Sequence, residues 1–228
     1  MMSTHSRKLL DDNLSVIQDD ILRMGSMVEE QVNRAIYALK ERDVKVAHQV
    51  IEADQRVDQL RYRVEDECLR TIATQQPAAR DLRRIIAAMH MAVEMERMAD
   101  HAGGIAEITI RMGGEPHIKP LLDIPRMAEL VGEMLHGVLD AYVKTDVALA
   151  QAVAKQDDEV DALYNQILRE LLTYMMADSK IVSRATYLLW VAHNLERIGD
   201  RVTNLCERVI FTDTGELNDI QDNTETGG

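Results

Sequence analysis

The chain has 228 residues and a formal net charge of −13, with 46% hydrophobic residues and only 4% aromatic. That charge argues against nonspecific nucleic-acid binding, where Lys and Arg must neutralise phosphates, and favours attraction of cations or basic surfaces. Leu, Ile, Val, Met and Ala must fill the core, which suits packed helices better than a β-sandwich.

The first helix is expected from about Ser6 to Glu41, because Leu10, Leu14, Ile17, Ile21, Met24, Val28, Ala35 and Leu39 recur in steps of three and four. Asp43 is placed to cap a second helix carrying Ala47, Val50, Val57, Val64 and Cys68, which ends near Pro77. A third helix carries Leu82, Ile86, Met89 and Val93 and stops at Gly113-Gly114. The pattern then restarts. A fourth helix carries Ile124, Met127, Val131, Met134, Val138 and Ala141. Asp146 caps a fifth with Ala150, Val153, Val160, Tyr164, Ile167 and Leu171. A break at 177–180 precedes a sixth with Val182, Leu189, Ala192, Leu195 and Val209.

The two halves align. Ile21, Met24 and Val28 match Ile124, Met127 and Val131 at an offset of 103, and the third helix matches the sixth at an offset of 100. This is an internal duplication of a three-helix unit. The expected fold is all-α: two tandem three-helix bundles, end to end, of six long antiparallel helices. The first unit spans 6–114, a linker 115–125, the second unit 124–212, and the polar tail 213–228 reads as disordered. The start of the chain has no apolar run like a signal peptide, and no stretch approaches the ~20 apolar residues of a membrane span. Cys68 and Cys206 are far apart on helical patterns, so a reducing, cytoplasmic setting without a disulfide is expected.

The third helix contains MERMADHAGGIAE, Met95 to Glu107, and the sixth LERIGDRVTNLCE, Leu195 to Glu207. Glu96 and Asp100, then Glu196 and Asp200, fall in the heptad rows Leu82–Met89–Glu96–Gly103 and Val182–Leu189–Glu196–Thr203 and their neighbours, so the acids replace apolar positions. On the second helix of each unit, Asp54 with Asp58, and Asp157 with Asp161, interrupt the apolar stripe likewise. Each half therefore offers two acid-x-x-x-acid pairs on adjacent helices. Like charges at this spacing cost ~0.2–0.5 kcal/mol when exposed and more when buried. A hard cation such as Mg, Mn, Ca or iron, held by carboxylate oxygens, removes that cost. Pairing with Arg97, Arg197 or Arg201 is the competing account. His90, His101 and His193 are weaker candidate ligands, and Cys206 and the Met stripe read as packing. GGIAE lies inside a helix and lacks the strand a nucleotide loop needs.

These segments resemble the PhoU family of phosphate-uptake regulators, through QQPAARDLRRI before the third helix, MERMADHAGGIAE, and LERIGDRVTNLCERVIF near the end. The resemblance covers roughly residues 6–212. It implies a cytoplasmic, nonenzymatic negative regulator of the phosphate-starvation response that also restrains uptake. It implies a homodimer working with the ATPase subunit of a phosphate ABC transporter and a phosphate-sensing histidine kinase, with no nucleic-acid partner and no membrane insertion. It also implies iron, zinc, magnesium or manganese on the paired acids, here Asp54, Asp58, Glu96 and Asp100, and Asp157, Asp161, Glu196 and Asp200. The alternatives are an accessory protein of another phosphate transporter and a metal-free helical adaptor. A di-metal carboxylate oxidase is remote, since it wants two Glu-x-x-His motifs and this chain has one, Glu133 to His136.

Overall fold

A computed structural model describes residues 4–216. The described residues form α-helices joined by short turns, with no strand among them. The first unit is α1 (Thr4–Glu41), α2 (Val44–Gln75) and α3 (Ala79–Met112). The second is α4 (Asp123–Lys144), α5 (Val147–Ala154), α6 (Asp157–Ala177) and α7 (Val182–Thr214), with a 3₁₀ turn, Ser179–Ile181, before α7.

The duplication is visible in the turns. Arg42 and Thr145, 103 residues apart, each end a helix in the left-handed region, at φ 57° and 52°. Each is followed by an aspartate cap. Asp43 Oδ1 accepts from the Lys45 and Val46 amides at 2.9 and 3.1 Å, and Asp146 Oδ1 accepts from the Leu149 amide at 3.0 Å.

Two features depart from the expected arrangement. The fifth expected helix is interrupted at Lys155-Gln156, where the Gln156 amide reaches back three residues to Val153 O at 2.9 Å. Asp157, Asp158 and Glu159 follow in the first turn of α6, where carboxylates are favoured by the helix dipole; α2 has only Asp54 at the equivalent place and runs unbroken. The second departure is that the bundles lie side by side, not end to end. Arg83 reaches Thr212 O, Glu94 reaches Arg201, and His101 reaches Asn194, so α3 and α7 run antiparallel along each other. α1 packs on α4 in the same way, with Gly25 so close to Leu139 that a Cβ there would lie 2.4 Å from its Cδ1. α2 and the α5–α6 pair flank this four-helix centre on opposite sides.

The core is built from Leu10, Ile17, Ile21, Met24 and Leu39 of α1, from Ile85, Met91, Met95, Met98 and Ile105 of α3, and from Met127 and Met134 of α4. The linker is tied down by Lys119, which is buried and ion-paired with Glu170, and by Arg184, which donates to Pro116 O at 3.3 Å. α7 runs to Thr214 and is capped by Gly215 at φ 79°, so Asp213 and Thr214, assigned to the tail from sequence, are its last turn; 217–228 lie outside the described residues.

Candidate metal centres between the outer and inner helices

The eight acids fall into two groups, one per bundle, between the flanking helix and the inner helix. In the first, Asp54 and Asp58 of α2 face Glu96 and Asp100 of α3. The heptad rows that carry these acids are not the centre of the core. Leu82, Met89, Glu96 and Gly103 are half-buried, and Asp100 is exposed. The buried rows of α3 are Ile85–Ala92–Ala99–Ala106 and Ala88–Met95–Ala102–Thr109. The acids therefore line the rim of the α2–α3 groove, where solvent reaches part of the group.

Asp54 is the deepest member. Its Oδ1 is buried and accepts no hydrogen bond. Burial, then the charges of Asp100, Asp58 and Glu96, push its carboxyl up to about 6. Burial and the neighbouring acids also raise Glu96 and Asp100. Arg61 opposes this weakly for Glu96: its Nε stands 3.8 Å from Glu96 Oε1 while its Nη1 bonds Glu65 at 2.8 Å. The groove, about 300 Å³, is lined by Ile51, Asp54, Asp100, Gly103, Gly104 and Glu107. A Cβ at Gly103 would meet nothing, so the mouth is open there.

The second group repeats this with changes. Asp157 Oδ1 is again a buried acceptor without a partner. Burial, then Asp200, Asp161 and Glu196, push Asp157 up to about 7. Asp161 and Asp200 are raised by burial first. Gly199 lets α6 come close to α7 here: a Cβ at Gly199 would lie 2.8 Å from Asp157 Oδ1. The first half has Ala99 at the matching place. In the sequence the contrast of IGD with MAD is the one sign of Gly199. Arg197 lies over the group, bonding Glu196 through two nitrogens and Asp200 at 2.9 Å. His193 Nδ1 is 3.3 Å from Glu196.

Arg197 thus takes the pairing role anticipated as the competing account, but Arg97 and Arg201 do not. Both turn to Glu94, at 3.2 Å each, and Asn204 joins them at 3.0 Å. Glu94 went unremarked in sequence because it is one glutamate among many. His101 bonds Asn194 across the α3–α7 interface and does not reach the acids, and His90 is exposed. Cys68 and Cys206 are free and buried, and burial pushes both thiols up to about 12. Glu133 and His136 line a groove between α1 and α4, away from both acid groups.

As they stand, no three Asp, Glu, His or Cys side chains among the described residues converge closely enough to hold an ion. The donor chemistry still fits a hard cation: each half has four carboxylates within electrostatic reach of one another and one buried oxygen with nothing to accept.

A duplicated antiparallel helical bundle with a group of four acids in each half defines a class of helical repeat protein. No helix among the described residues is long and apolar enough to cross a membrane. The PhoU domain description matches twice, at residues 21–109 and 124–209. The chain is 39% identical over 218 residues to a phosphate-specific transport system accessory protein PhoU homolog of Clostridium acetobutylicum, covering 95% of this chain and all of that one. It is 41% identical to the homolog of Caulobacter vibrioides, covering 94% of each. The crystal structure of PhoU from Pseudomonas aeruginosa superposes with a TM-score of 0.85 at 37% identity, covering 90% of this chain and 99% of that one. That of the phosphate transport system regulatory protein PhoU from Streptococcus pneumoniae gives 0.86 at 29%, covering 92% and 100%. The chain belongs to the PhoU family.

Proposed function

We propose that this protein is a cytoplasmic, nonenzymatic adaptor that restrains phosphate uptake and keeps the phosphate-starvation response off when phosphate is plentiful. Its partners in this reading are the ATPase subunit of a phosphate ABC transporter and a phosphate-sensing histidine kinase. Family membership and the relatives' names support the link to phosphate transport.

In the same reading the two acid groups hold divalent or trivalent cations such as iron, zinc, magnesium or manganese. The observation that carries this is the pair of orphaned acceptors, Asp54 Oδ1 and Asp157 Oδ1, at equivalent places in the two halves. A carboxylate oxygen shut off from water with nothing donating to it is unfavourable unless the group is protonated or neutralised. A bound cation supplies positive charge and brings the outer helix to the inner one. Asp54 and Asp100 would hold it in the first half, and Asp157 and Asp200 in the second, with Asp58, Glu96, Asp161 and Glu196 completing the sets. Arg197 competes for the Glu196 and Asp200 oxygens.

The test is a phosphate-starvation reporter in phosphate-rich medium with and without the gene, combined with metal analysis of the purified protein. Deletion is expected to switch the reporter on. A silent reporter would overturn the regulatory reading and move an accessory role at another phosphate transporter ahead. The variant carrying Glu196→Ala and Asp200→Ala is expected to lose bound metal; unchanged metal content would sink the site assignment.

A further inference from the structure

α2 carries an arginine at every seventh position, Arg56, Arg63 and Arg70, and all three are exposed. Seven residues are close to two helical turns, so these side chains form one bank along the helix. Arg56 and Arg63, with Arg23, Met27, Gln59 and Leu60, line a groove of about 440 Å³ between α1 and α2. On the α1 bank the same spacing gives Leu9, Val16 and Arg23, and the two apolar members are 44% and 42% exposed. The floor is apolar: Leu60 is buried and Met27 half-buried. Asp20, a turn before Arg23, meets Arg63 at 3.1 Å, which fixes the register of the two banks. Because α1 and α2 are antiparallel, Val16 lies toward Arg70.

The duplicated half shows that the bundle does not need this stripe. At the offset of 103, Arg56, Arg63 and Arg70 become Glu159, Gln166 and Thr173, although a groove of similar size remains there between α4 and α6. The places of Leu9 and Val16 fall before α4 begins. The arginines are also little used inside the molecule. Among the described residues, Arg23 and Arg56 have no ion pair. Arg70 meets Asp66, its neighbour one turn back, at 2.8 Å, in an exposed pair that is exchanged at little cost. Unpaired arginines gathered in a chain of net charge −13 mark a surface that meets negative charge.

The shape of the stripe selects the kind of ligand. From Arg56 to Arg70 it runs ~21 Å, far longer than one small anion. It is open to water, where a small anion gains little from each arginine. A ligand gains more if it covers Met27, Leu60, Val16 and Leu9 and also offers carboxylates two turns apart, which the planar guanidinium can take through two hydrogen bonds. An amphipathic helix laid along the groove does both. We infer that the α1–α2 groove docks an acidic amphipathic helix of a partner protein, its apolar side chains on that floor and its carboxylates on Arg23, Arg56, Arg63 and Arg70. At physiological salt the rest of the negative chain is screened beyond ~8 Å, so the arginines decide the local field. This deepens the adaptor reading, on which it rests for there being a protein partner. It does not depend on metal, because α2 presents Asp54 and Asp58 to α3 and not to this groove.

Fluorescence anisotropy of a labelled peptide of ~20 residues, with Leu and Glu at helical spacing, titrated with the purified protein tests this. Saturable one-to-one binding that weakens as salt rises is expected. The variant with Arg23→Glu and Arg56→Glu should bind the peptide at least about tenfold more weakly. The variant with Leu9→Ser and Val16→Ser keeps every charge and should also bind more weakly. Both should melt as the wild type does, which separates lost docking from lost folding. Arg126→Glu, at the place of Arg23 in the second half, should leave binding unchanged. Absence of binding, or binding indifferent to the arginine reversals, overturns the inference. So does equally tight binding of a glutamate peptide without leucines or of inorganic tripolyphosphate, which would make the stripe a general anion surface. Sedimentation of the same arginine variant supplies the last arm: if the reversals separate two copies of the chain, the groove is already covered by a second copy and the inference falls. The peptide is titrated without a transporter or kinase, so failure here and failure of the regulatory reading in the reporter are distinct.

Discussion

Glu94 on α3 and Arg201 on α7 pair at 3.2 Å, and the residues standing in their places in the other half, Asn194 and His101, are hydrogen-bonded to each other at 3.0 Å. One contact has been kept on both sides of the α3–α7 interface while its chemistry changed from an ion pair to a neutral bond. Burial lowers the His101 pKa, so its imidazole stays neutral at physiological pH beside Asn194. The Glu94 side is the stronger, because it also accepts from Asn204 and Arg97 and is only 15% exposed. Replacing Glu94 with Ala leaves Arg201, whose Nε already lacks a partner, without its carboxylate. A loss of about 2–3 kcal/mol is expected from urea unfolding, against about 1 kcal/mol for Asn194→Ala. Equal losses from the two changes would show that the sides are not ranked this way.

Gly199 and Gly103 give opposite expectations from one substitution. At Gly199 a Cβ would lie 2.8 Å from Asp157 Oδ1 and 3.3 Å from Val160 Cγ1. Gly199→Ala should cost about 1–3 kcal/mol through overpacking and push Asp157 away from α7. At Gly103 a Cβ meets nothing and the helix is regular, so Gly103→Ala should stabilise by about 0.5–1 kcal/mol. Thermal unfolding of the two variants reads both signs. A neutral Gly199→Ala would mean that α6 and α7 are not held this closely.

The duplication, the aspartate caps and the pairing of acids on adjacent helices were all legible in the sequence, because each rests on local spacing. What was not legible came from contacts between units. α3 is covered by α1 and α2 on one side and α7 on the other, so apolar residues occur nearly all round it. Its heptad rows then no longer tell which is central, and Leu82–Met89–Glu96 looked like core when it is rim. The side-by-side docking had no local signal either. It rests on Gly25 against Leu139 and on Glu94 with Arg201, residues far apart in the chain. The Lys155-Gln156 interruption was foreshadowed by three successive acids, Asp157, Asp158 and Glu159, but the helical periodicity continued across it.

Asp157 makes stability depend on pH in a direction opposite to that of ordinary acidic groups. Its folded pKa of about 7 lies above the unfolded value of ~3.9, so the folded state binds the proton more tightly. Its contribution is therefore most favourable below the unfolded value, falls as pH rises from about 4 to 7, and is constant above. Because the side chain is partly solvated, the penalty is on the order of 1 kcal/mol. Asp157→Asn should remove it, making the variant more stable than wild type at pH 8 and similar at pH 4. The measurement is the difference in unfolding free energy between the two proteins across that range. A difference that does not change with pH would mean that Asp157 is not held in this environment.

Arg197 and a cation compete for the same oxygens. In the structure its guanidinium holds Glu196 through two nitrogens and Asp200 at 2.9 Å, whereas in the first half Arg61 stands 3.8 Å from Glu96 and is committed to Glu65. The two halves should thus differ in affinity, with the first half binding more tightly. Arg197→Ala frees two carboxylates, and titration with Mn at low salt should show the second site tightening by about tenfold, equivalent to ~1.4 kcal/mol. Arg61→Ala should have a smaller effect on the first site. Weaker binding after Arg197→Ala would show that the guanidinium holds the carboxylates in a receptive arrangement instead of competing with the ion.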